Sequence, residues 1–129
     1  MTMPAGTYYI GDLCYVMHDV WDEFCELTIE GHSVLDGEFT LKDGRRFATY
    51  STMYGDGDYP VSTGGRVGVD AGLVGCILLD EIADEGATPE TNGVIVKFTQ
   101  PFETGSDEGG TIYFGHVRVR TGRVRVRTR

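Results

Sequence analysis

Apolar and polar positions alternate with a period of two through most of this chain, and glycine interrupts the alternation every few residues. That is the pattern of short antiparallel strands joined by tight turns. TYYI at 7–10 reads as a first strand, and GDLCYVM at 11–17 as a turn followed by a second short apolar run. EFTL (38–41) and RRFATY (45–50) flank Lys42, Asp43 and Gly44, where the Asp-Gly pair suits a hairpin. YPVS (59–62) and RVGVD (66–70) flank Thr63, Gly64 and Gly65 in the same way. AGLVGCILL at 71–79 is apolar for long enough to be a central strand buried on both faces. GVIVKFTQ (93–100) and TIYFGHVRVR (111–120) give two further strands, the latter expected to run unbroken from Ile112 to Arg120. Between them PFETGSDEGG (101–110) reads as an acidic, glycine-rich, mobile loop.

One stretch changes period. In HDVWDEFCELTIEG (18–31), Trp21, Phe24, Cys25 and Thr28 fall at helical spacing, Asp19 stands as the cap with Asp22 three residues on, and Gly31 as the stop. No alternation of strand and helix suggests a parallel sheet. The expected fold is mainly β (α+β): a small antiparallel β-sandwich or barrel with one helix packed on it.

A length of 129 residues with 40% hydrophobic content fits a single domain over 1–129. No basic and apolar leader opens the chain, and no apolar run approaches the roughly 20 residues that span a bilayer. The three cysteines, Cys14, Cys25 and Cys76, are odd in number and widely spread, which suits reduced thiols rather than a disulfide framework. The expected location is cytoplasmic, in the host cell if the chain is phage-encoded.

Charge sharpens the picture, because the net of -9 conceals a polarised chain. All 20 acidic residues precede His116, against five cations there (Lys42, Arg45, Arg46, Arg66 and Lys97). The stretch HVRVRTGRVRVRTR (116–129) holds six arginines and no acid, and reads as an arginine-rich strand or hairpin extension. With a turn at Thr121-Gly122, Arg120 would oppose Arg123 and Arg118 would oppose Arg125, an arrangement that needs facing anions. Carboxylates of a neighbouring subunit would supply them, so a homo-oligomer is expected. The acidic body makes duplex nucleic acid an unfavourable partner, since phosphate contacts need a basic face.

The chemistry-bearing stretch is TYSTMYGDGDYPV (49–61). An EF-hand loop starting at Asp56 would need an oxygen ligand at its fifth position, glycine at its sixth and glutamate at its twelfth, but Pro60, Val61 and Val67 stand there. A looser metal set of Asp56, Asp58 and Asp70 remains open. Cys14, His18, Cys25 and His32 are spaced too widely for a zinc knuckle, and no cysteine stands in a nucleophile signature with His32 or His116. No Walker lysine or dinucleotide fingerprint occurs, and no cofactor is predicted. Trp21 reads as core. The seven tyrosines are too many for the core alone on alternating strands, so some should face outward, where tyrosine beside glycine backbone holds planar ligands.

YYIGDLCYVMHDVWDEFCE, YGDGDYPV and GRVGVDAGLVGCILLDEI together resemble a set of small, mostly uncharacterised proteins of phages and bacteria. That family pattern has a GDxCYV segment, a tryptophan-bearing helix, a GDG loop and a VDxG strand. The positions that correspond are Gly11, Asp12, Cys14, Tyr15, Trp21, Gly55, Asp56, Gly57, Val69, Asp70 and Gly72. The resemblance covers about the first two thirds of the chain and implies a phage-like context without an activity. The arginine tail departs from it.

These readings converge on a non-enzymatic protein that binds a small nucleotide-like ligand, in the manner of a phage counter-defence protein sequestering a nucleotide signal. The expected site is Tyr54, Asp56, Gly57, Asp58, Tyr59 and Asp70, with Arg45, Arg46 and Arg66 supplying cations. An acidic protein-binding inhibitor and a metal-dependent hydrolase are the alternatives.

Overall fold

The structure, a computed structural model, describes residues 2–122. In chain order the elements are β1 (Gly6–Gly11), α1 (Trp21–Thr28), β2 (Ile29–Glu30), β3 (Ser33–Val34), β4 (Gly37–Thr40), β5 (Arg46–Ser51) and β6 (Gly57–Pro60). They continue with β7 (Arg66–Val69), β8 (Leu73–Leu78), α2 (Pro89–Asn92), β9 (Val94–Phe98), β10 (Thr104–Ser106), β11 (Thr111–Phe114) and β12 (Val117–Arg120). The main sheet has the order β4-β5-β8-β1-β9, with antiparallel neighbours throughout.

Above one face lies a second layer. It joins β10-β11-β12 to the β6-β7 hairpin through an antiparallel bridge from Val61 to Val119. The fold is therefore an open β-sandwich with a helix on its far side, and its main sheet does not close into a barrel. No helix among the described residues is long and apolar enough to cross a membrane.

Alternation along three strands explains the layering. On β1, Tyr8 and Ile10 point into the inter-sheet core while Tyr9 points the other way; on β5, Ala48 and Tyr50 oppose Phe47; on β8, Val74 and Cys76 oppose Leu73 and Ile77. These strands are covered on both faces, so they carry few polar residues. The inter-sheet core is closed by Tyr59, Val61, Val67, Val69, Ile112, Phe114, Val117 and Val119. On the helix side Phe24 stacks on Phe47 with ring centroids 4.9 Å apart, beside Leu13, Val16, Met17 and Leu41. The predicted central strand is borne out as β8, which lies between β5 and β1.

Several sequence expectations are corrected. Trp21, Phe24, Cys25 and Thr28 do share a helix, but Asp19 does not cap it: the cap is Val20, with no side-chain bond, and Asp19 instead reaches Arg45 Nη2 at 3.3 Å. Gly31 does not end the helix, which stops at Thr28; it sits in the β2-β3 turn at φ 63°. TIYFGHVRVR is two strands, because Gly115 at φ 59° and His116 turn the chain back on itself. The acidic loop carries β10, and Asp107 Oδ1 accepts bonds from the Gly109 and Thr111 amides at 2.9 and 3.0 Å.

For the tail, Arg123 and Arg125 lie outside the described residues. The edge of β12 that a tail strand would use is already occupied: Ser62 N donates to Arg118 O at 2.8 Å, and Arg118 N donates to Ser62 Oγ at 2.9 Å.

Gly75 marks the tightest approach in the main sheet, where a Cβ would stand 2.2 Å from the Ala48 carbonyl oxygen and 2.7 Å from Leu13 Cδ1. Gly75→Ala should cost about 3 kcal/mol or more and lower the thermal midpoint by roughly 10 °C. Gly86→Ala, whose Cβ would meet only Asp84 Oδ1 at 3.6 Å, should leave the midpoint unchanged. Equal midpoints for the two variants in a thermal melt would contradict this packing.

Candidate functional site

The GDLCY and VDAG segments meet at one end of the main sheet. β1 ends at Gly11, and the fully buried Asp12 follows. Its Oδ1 accepts from the Cys14 amide at 2.9 Å, which starts a 3-10 turn over Leu13–Tyr15. Its Oδ2 accepts from the Asp70 and Ala71 amides at 2.7 and 2.6 Å, which fixes the corner between β7 and β8. Tyr15 Oη donates to Asp70 Oδ2. The loop carrying Asp56 rides on the same corner: Thr52 N donates to Gly72 O at 3.0 Å, and Thr52 Oγ1 to Gly55 O at 2.6 Å. Burial first, then the carboxylates of Asp12, Asp70 and Asp56, push the Cys14 thiol up to about 12. Burial likewise raises Cys25 and Cys76, so all three thiols stay protonated near neutral pH.

The sequence-predicted site residues separate into three places. Tyr54, 45% exposed, and Asp56 lie on the loop at the Asp12 end, near Asp70. Asp58 and Arg66 face outward from β6 and β7, paired at 3.1 Å, with Arg66 Nη2 also donating to Asp58 O at 2.7 Å. Gly57 begins β6. Tyr59 is not a ligand wall: it is fully buried, and its hydroxyl donates to Gly55 O at 2.9 Å.

Arg45 and Arg46 stand at the opposite end of β5, a strand of six residues and so about 16 Å long. Arg45 binds Asp43, Asp19 and the Glu81 carbonyl, and Arg46 binds Glu38 and the Thr2 carbonyl. Among the described residues no three His, Cys, Asp or Glu side chains converge as metal ligands, and Asp56, Asp58 and Asp70 do not form such a set.

Most tyrosines serve the core. Tyr8, Tyr9 and Tyr50 are buried like Tyr59, with hydroxyls bonded to Pro4 O, Asp12 O and Thr104 Oγ1, each at 2.7 Å. Burial raises all four phenols above their ordinary value.

Sequence reasoning missed a cleft of about 340 Å³ between the end of β9 and the β11-β12 turn. Its floor is Phe98 stacked on Phe102 at 3.8 Å, both buried in the inter-sheet core so that only their edges reach the cleft, and held by edge contacts from Tyr8 at 5.6 and 4.9 Å. Lys97, Thr99, Gln100 and His116 complete the lining with Pro101 and Gly115, and no acidic side chain is among them. The His116 ring stands edge-on to Phe98 at 5.5 Å. Lys97 makes no ion pair among the described residues, whereas Arg45, Arg46 and Arg66 each do. The legible signal was KFTQPF, a lone lysine ahead of two aromatics that bracket a proline.

Compared with protein-family models, curated proteins and solved structures, the chain matches none.

Two measurements follow from the Asp12 corner. Asp12→Asn turns an amide towards one side of the clamp, depriving at least one part-buried N–H of its acceptor; it should cost roughly 1–2 kcal/mol in a denaturant melt. A midpoint equal to the parent's would show that the clamp contributes little. Cys14, held near 12, should react with iodoacetamide at pH 7.5 roughly a thousandfold or more slower than a free cysteine. Labelling of Cys14 within minutes, followed by mass spectrometry, would contradict that environment.

Proposed function

We propose that this chain is a non-enzymatic binding protein for a small, planar, anionic ligand of the nucleotide type, held in the cleft between Lys97, His116 and the Phe98-Phe102 floor. The observation that carries the reading is the unpaired Lys97 beside the aromatic floor. Arg45, Arg46 and Arg66 are engaged by the chain's own carboxylates, whereas a lysine without an ion pair on the lining of a cleft suits a ligand with an anionic end. The volume of about 340 Å³ lies at the small end of the range for ligand sites, which favours a single nucleotide over a long strand. Protonated thiols and the pairing of Asp58 with Arg66 favour binding over catalysis. Sequestration of a nucleotide signal in a phage-infected cell is the role this chemistry would serve, with the ligand returned unchanged. The cation of the site is Lys97, with His116 as a hydrogen-bonding neighbour, rather than Arg45, Arg46 and Arg66.

Calorimetric titration against mononucleotides, cyclic mononucleotides and dinucleotides tests the reading. At least one mononucleotide should bind, and Lys97→Ala or His116→Ala should each weaken it by roughly tenfold or more, the loss expected for a charge-assisted hydrogen bond. Because both side chains are exposed, the thermal midpoint should move by only about 2 °C. Failure of every nucleotide to bind at millimolar concentration would sink the proposal. Recovery of a chemically altered nucleotide would replace it with an enzyme.

A further inference from the structure

Within the second layer the outward face of β12 is basic. Buried and exposed positions alternate along β6, β7, β11 and β12. The exposed ones include Arg118 and Arg120, which make no ion pair among the described residues, and Arg66, which pairs with Asp58 at 3.1 Å, while the acids Glu103, Asp107 and Glu108 lie on the loops that flank β10. The register aligns them. Arg120 pairs with Thr111, Pro60 pairs with Arg66, and the Val61-Val119 bridge sets β6 beside β12. The opposite side of the molecule is acidic. Residues 18–30 hold Asp19, Asp22, Glu23, Glu26 and Glu30, and residues 79–85 hold Asp80, Glu81, Asp84 and Glu85, with no lysine or arginine in either stretch and with Arg45 engaging only Asp19 among these carboxylates. The two stretches form one layer over the helix-side core: Leu79 and Ile82 pack there with Trp21 and Cys25, and Asp84 Oδ2 accepts from the His18 amide at 3.1 Å.

We propose that the arginine face docks onto the acidic helix-side layer of a second copy of this chain, head to tail. Within one copy the two surfaces cannot neutralise each other. Sheets pack about 10 Å apart and the helix adds a further layer, so about 20 Å separates them, more than twice the Debye length of about 8 Å at physiological salt. Across two copies they come into direct contact. A single-stranded nucleic acid fits the face less well, because stacking needs an open ring and the guanidinium of Arg118 covers Tyr113 at 5.5 Å. The two surfaces are different patches on opposite sides, so the contact is heterologous and builds rings or open chains rather than only a two-fold dimer.

The test is a charge swap followed by light scattering of the full chain. The parent protein should exceed monomer mass at about 20 mM salt, gain mass with concentration, and fall towards monomer at about 0.5 M salt. R118E/R120E and D22R/E26R should each be monomeric alone, and their equimolar mixture should associate, because each then presents to the other the charge it lacks. If near-ultraviolet circular dichroism shows R118E/R120E unfolded, R118Q/R120Q replaces it and should lower the mass at every concentration. A monomeric parent at low salt, a reversed variant that keeps its mass, or a mixture that stays monomeric would each overturn the proposal. So would association that appears only when a single-stranded oligonucleotide is added, which would make the face a nucleic-acid surface.

Discussion

Two separate stretches of chain are tied together by the buried carboxyl group of Asp12, which accepts the amides of Cys14, Asp70 and Ala71. A buried carboxyl group surrounded by aligned N–H groups is stable only when all of them are placed together, so the contact is satisfied as a unit or not at all. It closes the end of the main sheet and turns the chain from β1 into the 3-10 turn ahead of α1. It also sets the corner from which β8 enters between β5 and β1. The GDxC and VDxG motifs are thus the two halves of one joint. Their chemistry is structural: Asp12 holds backbone amides, Asp70 takes the Tyr15 hydroxyl, and burial first, then the neighbouring carboxylates, keeps Cys14 protonated.

Burying both faces of the main sheet leaves it little room for function. Open surface is left at the rim and on the outer layers, where the Lys97 cleft, the β12 arginines and the acidic helix layer lie. The buried tyrosines explain how a polar-looking strand such as TYYI can sit at the centre. Each hydroxyl reaches a nearby carbonyl or hydroxyl, so the ring can be interior without an unpaired donor.

Much of the fold was legible. Period-two alternation located β1, β4 to β9 and the strands after residue 110, and helical spacing located α1. The break inside TIYFGHVRVR was also written in the chain: Ile112 and Phe114 share one phase and Val117 and Val119 the other, a slip that only a turn can absorb. The missing cap at Asp19 was not legible, since a cation from β5 claims that carboxylate in three dimensions. The site was read least well. Tyr59, Arg45 and Arg46 are common ligand-binding types, and whether such groups are free depends on partners far away in sequence. KFTQPF announces one side of the cleft, but its closure depends on His116 meeting Phe98 from another strand pair, which no local pattern announces.

The position of β1 also has a consequence for synthesis. Its two partners are β8 and β9, with Tyr8 opposite Leu78 and Val96, and Met3 is bridged to Phe102. β1 is therefore made well before either of the strands it pairs with. At about 5–20 residues per second, Tyr8 waits roughly 4–18 s for Val96 to be made. During that interval an apolar strand with two open edges is exposed in the nascent chain, and contacts this distant in sequence are slow to form even once the chain is complete. The chain is thus vulnerable to aggregation before it is released, and a holding chaperone would act on the first strand rather than on the last.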